Sequence, residues 1–271
     1  MPNYVKNKIM VGKKEFIDLI KREHFTKDPS TGGLELDFNT IDKMPEDLQI
    51  EVGSRSYDGV KLYLAMKNPD CPYVGHKDEK MSKEEYRKLT DKLKESRMVP
   101  SRSADEEEYW FLVKLYGQKN ALDSVINLGK KSCENMLKYG SCNWYEWAVK
   151  HWGTKWNASA TEITDNGKSI LFETAWDPAL PAVIELSKKH PEMKMAFLYS
   201  DEEIGNHVGY ALLTNGNIDF EGTFEDQSVD AYKLAFDLWD CQEDYRYDSK
   251  KKTYVHVEEE PIGAKPSPVM D

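Results

Sequence analysis

Five of the seven tryptophans lie between Trp144 and Trp176, four of them in the run Trp144-Tyr145-Glu146-Trp147-Ala148-Val149-Lys150-His151-Trp152-Gly153-Thr154-Lys155-Trp156-Asn157. Rings this dense need a place to be buried, so this segment marks where a fold locks together. Asn143 is placed to cap a helix, with Glu146 reaching back. On that helix Trp144, Trp147 and His151 make one stripe, and Tyr145, Val149 and Trp152 make a second about 100° away. Gly153 suits the left-handed residue that stops a helix, and the alternation from Lys155 to Thr164 reads as a strand. Core packing between helices and a sheet is the ordinary role for such rings. Their alternative use is a binding surface, for which the candidates are Trp144, Trp147, Trp152, Lys155, Trp156 and Asn157. A lysine among rings makes a cation–π contact or part of an anion-binding surface.

The rest of the chain reads as alternating strands and helices. Tyr4 to Val11 is a strand, and Phe16, Leu19 and Ile20 recur at helical spacing between Lys13 and Glu23. After the turn at Pro29 to Gly33, Leu34 to Phe38 alternates as a half-exposed strand. Lys43 to Asn68 is irregular, with Val60 to Leu64 a short strand or a helical turn. From Ser82 to Tyr139 helical periodicity dominates, with Ser103 and Glu106 forming a capping-box signature and a second helix ending near Gly140. Beyond the tryptophans come a strand at Ser169 to Ala175, a helix opened by Asp177-Pro178, strands at Met195 to Tyr199 and His207 to Thr214, and a turn at Asn215-Gly216. A helix at Ser228 to Asp240 and a hairpin built from Tyr245 to Tyr247 and Thr253 to Val257 follow. Strand, helix, strand, strand, helix, strand is the ferredoxin-like order.

The expected class is therefore α+β, a ferredoxin-like sheet domain with a large helical insertion. Residues 1–68 contribute a β-α-β part to the sheet and 69–142 form the insertion. Residues 143–257 carry the tryptophan-rich helix and the ferredoxin-like domain, and 258–271 form a loose tail rich in Glu and Pro.

The opening Met1-Pro2-Asn3-Tyr4-x-x-Asn7, the segment from Asp37-Phe38-Asn39 to Met44-Pro45-Glu46, and Trp144-Tyr145-x-Trp147 followed by Trp152 to Ala158 resemble the Api-like, or YubB-like, proteins of plasmids and phages. Phe172-Glu173-Thr174-Ala175-Trp176-Asp177-Pro178 continues the resemblance, and the helical middle lies outside it. Tyr4-Val5 departs from the family pattern, where many relatives have Trp-Cys, so no role of that cysteine carries over. The resemblance implies a ferredoxin-like C-terminal domain and a home on mobile genetic elements, and it implies no catalytic activity.

Charge and motifs narrow the functional classes. With 48 acidic against 37 basic side chains the net charge is −11, which opposes attachment to a phosphate backbone. No apolar run approaches the roughly 20 residues that span a bilayer and the opening lacks a signal's apolar core, so a cytoplasmic protein is expected. Cys71, Cys133, Cys142 and Cys241 form no CxxC pair, and Cys71 and His76 lack a second ligand pair, so neither a disulfide framework nor a metal is expected. The carboxylates at Asp201 to Glu203 and at Glu221 to Asp226 read as solvated loops, and His190 and His207 have no nucleophile beside them.

No phosphate-binding, dinucleotide, nucleophile-elbow or zinc-protease motif occurs, so catalytic residues and cofactors are expected to be none. The favoured expectation is a mobile-element accessory protein acting by non-catalytic binding of a host or defence-system protein, an anti-CRISPR or anti-restriction inhibitor in its sharpest form. The alternatives are a small-molecule or nucleotide enzyme at the junction of helices and sheet, and a nucleic-acid binder stacking bases on Phe172, Phe197, Tyr199 and Tyr210. The partner and oligomeric state stay open.

Overall fold

A computed structural model describes residues 3–74 and 80–257. The expected tail at 258–271 and His76 of the C-x4-H pair lie outside them. The chain divides into two units. One takes residues up to Leu36 and from Ala158 onward, and the other is Asp37–Asn157.

The first unit is built on a six-stranded antiparallel sheet. Its strands are β1 (Tyr4–Val11), β4 (Ser159–Thr164), β5 (Ser169–Ala175), β6 (Lys194–Asp201), β7 (Gly209–Thr214) and β8 (Asn217–Thr223), in the order β4-β5-β1-β6-β7-β8. With α1 (Lys14–His24) after β1 and α8 (Leu180–Lys189) between β5 and β6, the succession β1, α1, β4, β5, α8, β6 has the ferredoxin-like connectivity, extended at one edge by β7 and β8. The unit is thus an α+β ferredoxin-like domain whose innermost strand comes from the beginning of the chain. A small ribbon of β2 (Phe25–Lys27) and β3 (Leu34–Leu36) is tied to β4: Leu36 N–H donates to Thr161 Oγ1 at 3.1 Å, and Thr161 N–H donates to Glu35 Oε2 at 2.7 Å. The expected strand over Leu34 to Phe38 ends early because Asp37 accepts from Asn39 N–H and caps α2 (Phe38–Ile41).

On the helix-covered side of the sheet, Ile170, Ile9, Phe197 and Ala211 lie in register across four strands and are all buried. The next row holds Phe172, Asn7, Tyr199 and Gly209. Asn7 is fully buried and fully employed. Its Nδ2 donates to the Val5 carbonyl at 2.9 Å and to Thr174 Oγ1 at 2.8 Å, while its Oδ1 accepts from Ala179 N–H at 3.0 Å, just ahead of α8. Ala179 offers no side-chain cap, so an asparagine on the central strand satisfies an otherwise orphaned donor. The helix expected to be capped by Asp177 is instead anchored from across the sheet.

The opposite side is partly covered by α9 (Val229–Trp239), which Ser228 caps and Asp240 closes in the left-handed conformation. Lys8 reaches Asp165 and Asp237, each at 3.1 Å, and Lys6 lies over the Trp239 ring at 4.7 Å. The predicted hairpin forms as β9 (Tyr245–Asp248) and β10 (Thr253–His256), with Tyr245 and Tyr254 against Tyr232 and Phe236 of α9. Part of the expected acidic loop, Glu221 included, belongs to β8.

The second unit is helical and larger than the expected 69–142 insertion. Its centre is α3 (Ser54–Lys67), where the sequence shows no clean period. Val60, Leu64 and Tyr63 pack with Leu89 and Leu93 of α4 (Lys83–Leu93) and with Cys133 and Met136 of α6 (Leu122–Tyr139). Leu62 and Ala65 pack with Tyr109, Leu112 and Tyr116 of α5 (Glu106–Gly117). A helix buried on several sides has no polar face, so its periodicity vanishes and it reads as irregular. This moves residues 37–68 out of the sheet domain and into the helical unit, and α7 (Trp144–Trp152) belongs there too. Asp105, rather than Ser103, caps α5, accepting from Glu108 N–H at 2.9 Å. Among the described residues no helix is long and apolar enough to cross a membrane.

Candidate functional site

The tryptophan segment separates into a buried backing and an exposed surface, all within the helical unit. Asn143 Oδ1 accepts from Glu146 N–H at 3.0 Å, as its spacing predicts, and Glu146 Oε2 accepts from Cys142 N–H at 2.7 Å. Gly153 ends the helix at φ 83°. The helix therefore presents its rings at fixed angles.

Trp147 and Trp152 are 3% and 4% exposed and meet edge to face, with ring centroids 5.5 Å apart. Trp152 packs on Phe38 of α2 and donates its indole N–H to the Asp42 carbonyl at 3.0 Å. His151 lies flat on Trp147, centroids 4.1 Å apart, and its Nδ1 is 2.8 Å from Asp42 Oδ2. These contacts turn two of the six candidates into core. Asn157 is a third structural residue. Its Oδ1 accepts from Phe38 N–H and its Nδ2 donates to Asp37 Oδ1, both at 2.8 Å. It thereby fixes the first turn of α2 to the end of the unit.

The other three candidates form the surface. Trp156 is 43% exposed, because the chain does not become a strand until Ser159 and the expected alternation from Lys155 fails. The Lys155 ammonium lies 4.6 Å from the Trp156 ring centre and 5.5 Å from that of Tyr145. Trp144 meets Tyr145 edge to face at 5.7 Å. Trp144, Tyr145, Lys155 and Trp156 thus make a partly exposed strip in which Lys155 contacts Tyr145 and Trp156, and Trp144 extends the strip from Tyr145. Tyr145 was not among the candidates, because the stripe it shares with Val149 and Trp152 reads as a buried face; only Trp152 of the three is core. The strip can offer apolar area, two indole donors and a positive charge to a protein surface, the chemistry of interface anchors.

The nucleic-acid alternative loses its stacking platform. Phe172 and Phe197 are fully buried and Tyr199 nearly so, because their register places them with Ile9 and Asn7 on the helix-covered side. Tyr210 is on the other side, near Phe220 and Phe224. In the helical unit a cavity of about 530 Å³ is lined by Glu46, Asp47, Lys131, Glu134 and Lys138 among others. Asp47 there already pairs with Lys138 at 2.9 Å and accepts from Tyr139 at 2.7 Å, partners that hold its carboxyl below the usual range.

Residues 152–254 match the family model described as the ferredoxin-like domain in Api92-like protein. No curated protein matches the chain. Among solved structures it is similar to the crystal structure of a protein api92 from Yersinia pseudotuberculosis, at 11% identity and a TM-score of 0.34, over 83% of this chain and 99% of that one. The matched stretch runs from the last residue of α7 into β10, so the part of this chain from Trp152 to Tyr254 is similar to the ferredoxin-like domain of Api92-like proteins.

Proposed function

We propose that this chain is a non-catalytic binding protein whose partner is another protein, engaged through Trp144, Tyr145, Lys155 and Trp156. The observation that carries the reading is Trp156, an indole left 43% exposed beside a lysine that already contacts two rings. Large aromatics and cations of this kind supply most of the energy of protein interfaces, and a rigid backing lowers the entropy lost on docking. The resemblance of the tryptophan segment to Api-like proteins of plasmids and phages supports a mobile-element accessory role. A host or defence-system protein, in an anti-CRISPR or anti-restriction setting, is the partner class that fits such a role.

The test is affinity capture from a host extract with the full chain and with Trp156→Ala and Lys155→Glu variants, followed by mass spectrometry. A specific protein retained by the wild type and lost from both variants supports the reading. Equal recovery by all three chains, or recovery of nucleic acid alone, overturns it.

A further inference from the structure

His24, the last residue of α1, and His190, which follows α8, are 166 residues apart in sequence, yet their Nε2 atoms lie 3.1 Å apart in the interior of the sheet unit. Both rings are about 95% buried, nearly perpendicular, with centroids 5.3 Å apart. Glu23 Oε2 is 3.9 Å from His190 Nε2, and one ligand atom from each of Glu23, His24 and His190 falls within 4.8 Å of the others.

We propose that Glu23, His24 and His190 form a binding site for a divalent transition-metal ion of the zinc, cobalt or nickel type. Two imidazoles binding one tetrahedral ion at zinc–nitrogen distances place their nitrogens about 3.3 Å apart. The observed separation needs only a few tenths of an ångström of adjustment, and the rings tilt from their head-on contact to turn both nitrogens toward one ion. Glu23 is on the surface side, where it also pairs with Arg22 at 3.2 Å, so its carboxylate swings in at little cost. Nitrogen and carboxylate donors suit borderline divalent ions better than calcium or magnesium.

Two surrounding features favour a cation here. The C-terminal ends of α1 and α8 converge on the pair, and each presents the negative end of its dipole. Glu192 Oε1 lies 3.9 Å from His190 Nδ1, and Glu23 Oε2 lies 3.9 Å from its Nε2, so two carboxylates flank the ring and offset the charge of a bound cation. Lys189 opposes a positive ion electrostatically, and the Glu23 carboxylate offsets it. Metal entry replaces the contact between the two Nε2 atoms; the proton one of them carries moves to Nδ1 of the same ring or to solvent, and no electron transfer is involved. Three protein ligands leave the fourth position to water.

The full chain, stripped with a chelator, is titrated with Co(II) and with Zn(II), reading the cobalt visible spectrum and metal content after dialysis. The expected result is one ion per chain with a spectrum of imidazole and carboxylate ligands. Glu23→Gln weakens binding about tenfold or more, and His24→Gln and His190→Gln lose it. Glu23→Gln changes a surface side chain and keeps the proposal testable where a histidine variant fails to fold. No saturable uptake into the high-micromolar range, unchanged affinity in Glu23→Gln, or retained uptake by a folded histidine variant overturns the proposal.

Discussion

Gly59 of α3 and Gly129 of α6 lie backbone against backbone, so close that a methyl group on either would overlap main-chain atoms of the other helix. The two helices therefore approach as closely as their backbones permit, and α3 is enclosed by α4, α5 and α6. Gly59→Ala or Gly129→Ala must separate them and break both adjoining clusters. The expected loss is upwards of about 3 kcal/mol in urea unfolding followed by tryptophan fluorescence. Gly12→Ala, where a methyl meets nothing within 4 Å, is the matched control.

The tryptophans divide by burial, and so do the consequences of removing them. Trp147→Ala and Trp152→Ala each cost about 3–5 kcal/mol, because each leaves a cavity among packed rings. Trp156→Ala changes stability by less than about 0.5 kcal/mol. Denaturation midpoints check the contrast. A large loss for Trp156→Ala would show that this ring is core and not surface.

Asn7 satisfies the Val5 carbonyl, Thr174 and the Ala179 N–H from one buried side chain. Asn7→Ala leaves these groups without that partner, a cost of about 2–4 kcal/mol by equilibrium unfolding. Hydrogen exchange at the start of α8 is expected to accelerate in the variant, since its first turn loses the acceptor that holds it.

His24 carries a pH dependence of defined sign. Its folded value of about 4 lies below the ordinary 6.5, through burial first and His190 second. Above pH 6.5 the ring is neutral in both the folded and unfolded chain and contributes no slope. As pH falls from 6.5 towards 4 the unfolded chain takes up a proton that the folded chain refuses, so stability declines by up to about 3 kcal/mol. Unfolding midpoints at pH 7 and pH 5 in chelator measure this, and His24→Gln is expected to flatten the difference.

Local sequence determined those elements whose signals are complete within one turn or one strand. The strands at Tyr4 to Val11 and Ser169 to Ala175, the helix beginning at Ser228, the Asn143 cap and the Gly153 stop all appear where the residues place them. The ferredoxin-like class was legible for the same reason, since it follows from the succession of such elements. Tertiary structure alone decided the rest. Val60 to Ala65 lost its helical signature because neighbours enclose α3, and a helix without a wet face shows no period. Whether an indole becomes core or surface depends on what crosses over it, so Trp147 and Trp156, nine residues apart, have opposite fates. The meeting of His24 with His190 depends on two helices ending at one place beneath a sheet. No spacing along the chain encodes that, because long-range packing and not local propensity brings such residues together.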